Sequence, residues 1–262
     1  MISKGIILAG GSGTRLSPIT KSINKQLLPL YDKPMIFYSL SVLMLAKIRN
    51  ILIITNTKDV KFFSNLLGNG NDLGIKITYI DQKRPNGLPE AFIVGENFIK
   101  KNNVALILGD NFFYGQGFTH RLEKYKELSF GAKVFLYTVN NPQDYGVAEV
   151  KNDKIVNITE KPKKPKTNHA ITGLYFFDNK VVEYAKRLKP SKRNELEIID
   201  LLKIYQKKNN LSFDFIGRGS AWLDTGTPKN LLSTSEFIST IEDRQGLKIG
   251  CLEEIAFNNK WI

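Results

Sequence analysis

Ile6, Ile7 and Leu8 form a short apolar run that breaks on Gly10, Gly11, Ser12 and Gly13. Similar runs recur at Ile51–Ile54 and Val104–Leu108, and Ile75–Ile80 has an alternating strand pattern. Between them lie stretches with apolar residues three or four apart, such as Met35, Tyr38 and Val42 within Pro34–Ala46. The pattern predicts strands at the runs and helices at Pro34–Ala46, Asp59–Leu67 and Pro89–Ile99, the last opened by its proline. Strands alternating with helices predict an α/β protein whose mostly parallel sheet is covered on both sides.

The second half is richer in strand-like runs: Lys133–Val139, Gly146–Val150, Ile155–Thr159, Gly173–Phe177 and Leu211–Phe215. Helices are expected at Lys180–Leu188, Glu195–Lys207 and Pro228–Glu242. With no internal repeat, low-complexity tract or linker in view, a single domain over residues 1–262 is expected. Its second half should add a substrate-facing subregion to a mixed sheet.

Composition narrows the function classes. A chain of 262 residues, 42% hydrophobic and 24% charged, can bury about three quarters of the surface it exposes when unfolded. The lone Cys251 cannot form an internal disulfide, which fits a reducing cytoplasm. Neither a signal peptide nor a membrane-spanning stretch is expected. The net charge of +13 invites a nucleic-acid reading. However, the lysines are scattered, the densest run "EKPKKPKTNH" is broken by prolines, and no zinc-finger, RRM or helix-turn-helix signature accompanies them. No nucleic-acid or membrane partner is expected; a basic enzyme that handles phosphates is.

The loop "LAGGSGTR" is the first place to look for one. A Walker A loop needs a Gly-Lys-Ser/Thr ending that is absent. A dinucleotide fingerprint needs glycines running straight into a helix, whereas Thr14, Arg15 and Leu16 follow Gly13. There remains a glycine-rich loop whose N–H groups face a nucleoside triphosphate, with Arg15 gripping the leaving pyrophosphate. A plain turn beside a solvated arginine is the alternative. Lys25 and Gln26 in "NKQLLPLYDKP" follow closely enough to bring a second cation and an amide to the same place.

The loop, followed by Lys-Gln-Leu-Leu-Pro, resembles the sugar-nucleotidylyltransferase family, and within it the glucose-1-phosphate thymidylyltransferases. The likeness continues through "YDKPMI", "LGDNFFYG", "DYGVAEV", "EKP", "TGLYFFD", "NELEIID", "WLDTGT" and "DRQGLK". The resemblance implies a Rossmann-like nucleotide-diphospho-sugar transferase fold, the nucleotide held by residues 1–110 and the sugar phosphate by residues 111–242. It also implies transfer of a thymidylyl group from dTTP to α-D-glucose 1-phosphate, giving dTDP-glucose and pyrophosphate with Mg²⁺ as cofactor. By the same resemblance the nucleotide would meet Leu8, Ala9, Gly10, Gly11, Gly13, Thr14, Arg15, Gln26, Gln82 and Gly87. The sugar phosphate would meet Tyr145, Gly146, Glu160, Lys161, Ile171, Thr172 and Arg193. Catalysis would fall to Arg15, Lys25, Lys161, Asp110 and Asp224, the two aspartates holding the metal. Read alone, Asp110 and Asp224 suit either a cation or a helix cap or turn.

Some positions depart from the family pattern. Pro89 and Glu90 replace Ala-Gln, Asn194 replaces glycine, and Ile199 replaces threonine. Members of the group commonly continue past the position of Phe257 in C-terminal helices, and form homo-oligomers with a second nucleotide site near residues like Tyr114, Gly115, His120, Gly219, Cys251, Glu254 and Ile255. Here Asn258 and Asn259 stand where a basic residue is common. The expectation is an oligomer, dimer or tetramer, that downstream dTDP-deoxysugars inhibit weakly. A catalytically silent sugar-nucleotide-binding regulator is the rival reading, and the presence of Arg15, Lys25, Asp110 and Asp224 argues against it.

Overall fold

A computed structural model describes residues 1–262. The chain opens with β1 (Ile2–Ala9) and passes through short turns to a hairpin of β2 (Pro29–Leu30) and β3 (Lys33–Pro34). Helix α1 (Ile36–Leu45), β4 (Asn50–Thr55), α2 (Val60–Leu67), β5 (Lys76–Asp81), α3 (Glu90–Val94), α4 (Glu96–Ile99) and β6 (Asn103–Leu108) complete the alternation. Next come β7 (Asn111–Gly115), α5 (Phe118–Lys126), β8 (Ala132–Thr138), β9 (Gly146–Lys151), β10 (Lys154–Glu160) and β11 (His169–Phe177). The chain closes with α6 (Val181–Lys186), α7 (Ile198–Lys207), β12 (Leu211–Phe215), β13 (Ser220–Asp224), α8 (Pro228–Gln245) and α9 (Leu252–Asn258).

Nine strands form one mixed sheet with the central order β10-β9-β11-β6-β1-β4-β5. The run β6, β1, β4 and β5 is parallel, β11 joins β6, β8 and β9 antiparallel, and β12 lies parallel to β8. Strand side chains alternate between faces, and this alternation divides the apolar runs between two cores. Ile7, Ile51, Ile53, Ala105 and Ile107 enter one with α1 and α5, whereas Ile6, Leu8, Leu52, Ile54, Val104 and Leu106 enter the other with α3, α6 and α7. No helix is long and apolar enough to cross a membrane.

The residue 89–99 segment is two helices rather than one. They part at Gly95, where a β-carbon would stand 2.8 Å from the Ala91 carbonyl oxygen and 3.2 Å from Leu52. Six elements have no counterpart among the sequence expectations: α5, α9, the β2–β3 hairpin, and the antiparallel pair β7–β13, which joins Asn111 to Asp224 and Phe113 to Trp222. That pair stands apart from the main sheet and draws Asp224 to Asp110.

Register explains where chemistry collects. Ala9 pairs with Thr55, Thr55 with Asp81, and Leu8 with Leu108. The glycine loop, Gln82 and Asp110 therefore leave the sheet along one edge, at the carboxyl ends of parallel strands. Ligands bind at this edge in open α/β sheets.

Candidate active site

The glycine loop is anchored before it turns. The Ala9 carbonyl accepts hydrogen bonds from Asn24 Nδ2 and Thr55 Oγ1, both at 3.0 Å. Asn24 in turn donates to Asp59 at 2.8 Å. Gly13 has φ of 59°, and a β-carbon there would stand 2.9 Å from Thr20 Cγ2, so the turn into Thr14–Leu16 needs glycine. Around Gly11 the space is open. The N–H groups of Gly11, Ser12 and Gly13 donate to no protein group, leaving a short row of free donors of the kind that cradles an anion.

Asp110 stands just beyond β6, ion-paired with Lys25, and the two side chains are 12% and 14% exposed. Burial works to raise the Asp110 carboxyl, but the Lys25 ammonium outweighs it and holds the group below the ordinary aspartate value. Asn111 fixes the carboxylate, donating to its Oδ1 at 3.2 Å. The Asn111 side-chain oxygen Oδ1 is itself held by Trp222 Nε1 at 2.6 Å and Gly173 N at 3.1 Å. Asp224 faces the same cleft from the end of β13, with Arg15 Nη2 4.0 Å from its Oδ2. Burial, then the neighbouring Asp110 charge, pushes Asp224 up against the pull of Arg15 and Lys25. Two carboxylates that raise one another's cost of ionisation form a donor set that suits a hard cation.

Glu160 and Lys161 divide the cleft into two lobes, of about 180 Å³ on the Asp110 and Asp224 side and about 260 Å³ on the Gln82 side. The smaller lobe contains Tyr145, Gly146 and Ile171. Tyr145 packs edge-on against Trp222 with ring centres 5.2 Å apart, and its carbonyl accepts from Lys161 N at 3.0 Å. Ile199 approaches so near that a β-carbon at Gly146 would stand 2.6 Å from its Cδ1. Thr172 lies fully buried beneath, its hydroxyl unpartnered. Burial raises the Glu160 carboxyl, with Glu197 adding to the shift and Lys161 opposing it. Arg193 reaches the cleft wall tied to Glu197 at 2.7 Å and to Glu160 at 3.3 Å. Asn194 keeps the backbone that glycine would give, with φ of 61°, since asparagine tolerates the left-handed region better than most residues.

The larger lobe is bounded by Leu8, Gly10, Gln82 and Gly87. Gly87 has φ of 104° and forms a parallel bridge with Leu196. Gln26 is 2% exposed, its Oε1 unpartnered, and it packs beneath Gly109, where a β-carbon would stand 2.9 Å from Gln26 Cγ. Arg15, Gly10, Gln82, Gly87, Asp110, Tyr145, Gly146, Glu160, Lys161, Ile171, Arg193 and Asp224 thus come together as cleft wall. Ala9, Gly11, Gly13 and Thr14 shape the adjoining loop, Lys25 reaches Asp110, and Gln26 and Thr172 underlie the site. Asn24, Asn111, Trp222 and Glu197 are structural partners of the site that sequence reasoning missed. Each lies in a motif quoted above, Asn24 in "NKQLLPLYDKP", Asn111 in "LGDNFFYG", Glu197 in "NELEIID" and Trp222 in "WLDTGT", but nothing in those motifs told its partner.

Free loop donors, converging cations and paired carboxylates at one edge of the sheet describe an enzyme that transfers a phosphate-linked group. The chain belongs to the nucleotidyl transferase family, whose model matches residues 4–241. It is 56% identical to a glucose-1-phosphate thymidylyltransferase of Neisseria meningitidis over 99% of this chain and 90% of that one. Identity to the enzyme of that name from Mycobacterium tuberculosis is 50%, with the same coverage. A Bacillus anthracis protein assigned as a glucose-1-phosphate thymidylyltransferase and solved with sucrose superposes at a TM-score of 0.83. It is 40% identical, over 89% of this chain and 94% of that one. A UDP-glucose pyrophosphorylase solved with UDP-glucose superposes at 0.80 and is 26% identical, over 92% of this chain and all of that one.

Proposed function

We propose that the protein transfers a thymidylyl group from dTTP to α-D-glucose 1-phosphate, releasing pyrophosphate. The observation that carries this reading is the cleft itself. One lobe offers an amide and a glycine edge for a base, the other offers hydroxyl-seeking polar groups, and cations stand between them. In the proposed reaction a phosphate oxygen of the sugar attacks the α-phosphorus in line, and the bond to the leaving pyrophosphate breaks. Little covalent help is needed; two anions must be held in line and their charge neutralised.

In this scheme the free N–H groups at Gly11 and Gly13 and the Arg15 guanidinium face the β- and γ-phosphates. Lys25, paired with Asp110, adds a second cation. Lys161 takes the phosphate of the sugar, Arg193 backs it, and Glu160 accepts from sugar hydroxyls. Gln82 and Gly87 read the base, with Gln26 beneath the nucleotide sugar. Asp110 and Asp224 would hold Mg²⁺, which supplies charge neutralisation at the phosphates when bound. Three or more His, Cys, Asp or Glu side chains gather nowhere in metal-holding geometry, so phosphate oxygens and water would complete the ligand set.

The reading extends to one cytoplasmic domain, with nucleotide contacts drawn from residues 1–110 and sugar-phosphate contacts from residues 111–242, working as a homo-oligomer. A separate cavity of about 290 Å³ includes Tyr114, Gly115, Cys251, Glu254, Ile255 and Asn258. Its one cation, Lys248, is held by Glu242 at 2.7 Å and Asp32 at 2.8 Å, which supports weak rather than tight binding of a dTDP-sugar there. The deciding experiment measures pyrophosphate release from a panel of nucleoside triphosphates and sugar 1-phosphates. No release from any pair refutes the enzyme reading, whereas a strong preference for UTP or another hexose 1-phosphate refutes only the substrate choice.

A further inference from the structure

Glu90 opens α3 with a carboxylate that takes three donors. Oε2 accepts from Gln82 Nε2 and from the Asn86 backbone N–H at 3.2 Å, and Oε1 accepts from Asn86 Nδ2 at 2.7 Å. A carboxylate accepts hydrogen bonds and donates none. The nitrogen end of the Gln82 amide must therefore face Glu90. Its oxygen end then faces the opposite way, toward Gly10, where a β-carbon would stand 3.0 Å from Gln82 Oε1. Gln82 is 5% exposed and belongs to the wall of the larger lobe, so the amide oxygen is the acceptor it turns toward Gly10 and a ligand there.

We infer that Glu90 is a positioning residue that sets base selection through Gln82. With its acceptor turned outward, Gln82 matches a base that presents a ring N–H, as a keto pyrimidine does. Cytosine presents a ring-nitrogen lone pair at that position, and two acceptors face to face leave both unpaired. A rotated amide would present its N–H₂ and reverse the preference. The same carboxylate steadies Asn86, whose carbonyl accepts from Leu196 N at 2.7 Å and so carries Gly87 to its contact with Leu196. This inference rests on the nucleotide reading proposed above.

Equilibrium binding of dTTP and dCTP, measured by titration calorimetry on the full chain, tests it without requiring turnover. The comparison includes the unaltered protein, Glu90→Ala and Glu90→Gln, because glutamine still offers Gln82 a carbonyl acceptor. The unaltered protein should favour dTTP over dCTP at least about tenfold, and Glu90→Ala should narrow that ratio by about tenfold. Glu90→Gln should stay within about threefold of the unaltered ratio. A folded Glu90→Ala protein that keeps its dTTP preference, or that loses both nucleotides equally, overturns the inference. If the unaltered protein binds neither nucleotide, the nucleotide reading itself fails and the inference with it.

Discussion

Replacing Gly87 with alanine tests how closely the two walls of the larger lobe must approach. A β-carbon at residue 87 would stand 2.1 Å from the Leu196 carbonyl oxygen, 2.6 Å from Leu196 N and 2.9 Å from Leu196 C. All three are backbone atoms, so no side-chain rotation relieves the overlap. Residue 87 also has φ of 104°, and holding an L-residue in such a region costs about 1–3 kcal/mol. Separating the segments stretches the 2.7 Å hydrogen bond from Leu196 N to the Asn86 carbonyl, losing about 0.5–1.5 kcal/mol. The expected destabilisation is about 2–4 kcal/mol, a fall in melting temperature of about 4–10 °C for a chain of this size. Both substrates should suffer, because Leu196 continues a segment that carries Arg193 and Glu197. A displacement of about 1 Å at such a positioning contact should lower kcat/KM about 100-fold. Circular dichroism melting and initial rates against each substrate measure the two effects. An alanine variant that melts within about one degree of the unaltered protein and keeps its kcat/KM would refute the placement of Gly87 against Leu196.

Lys25→Met leaves Asp110 buried without its cation, which should cost about 3–5 kcal/mol and abolish most turnover. Added Mg²⁺ should raise the melting temperature of this variant more than that of the unaltered protein; equal shifts would argue against a cation site at Asp110. Tyr205→Phe removes the 2.8 Å hydrogen bond to Asp178 far from the cleft, so stability should fall by about 1–3 kcal/mol with kcat unchanged, as a denaturant titration beside an activity assay would show. Glu160 is held above its ordinary value of 4.5, chiefly by burial. A carboxyl raised on folding loses stability as pH climbs through that window, so Glu160→Gln should be the more stable protein at neutral pH. Melting temperatures followed downward through pH 4.5 should show the difference shrinking, and a difference independent of pH would refute the burial argument.

What the sequence determined by itself rests on local rules. Residues 6–8, 51–54 and 104–108 announce strands because both of their faces are buried and no polar position interrupts them. Gly13 announces a backbone that other residues rarely adopt, and Asp110 announces itself by ending an apolar run at the sheet edge. The tertiary structure alone decided the rest. "NFFYG" and "SAWLD" become strands only by pairing with one another across more than 100 residues of chain, and no local propensity records a partner so far away. Asn111 is an ordinary asparagine until Trp222 and Gly173 both donate to its side-chain Oδ1. Lys25 is one of many lysines until β6 delivers Asp110 beside it. Glu90 is a helix-opening acid until Gln82 and Asn86 converge on it. Periodicity along a chain reports which face of an element is buried, whereas a site depends on long-range contacts that form only when the sheet has set its register.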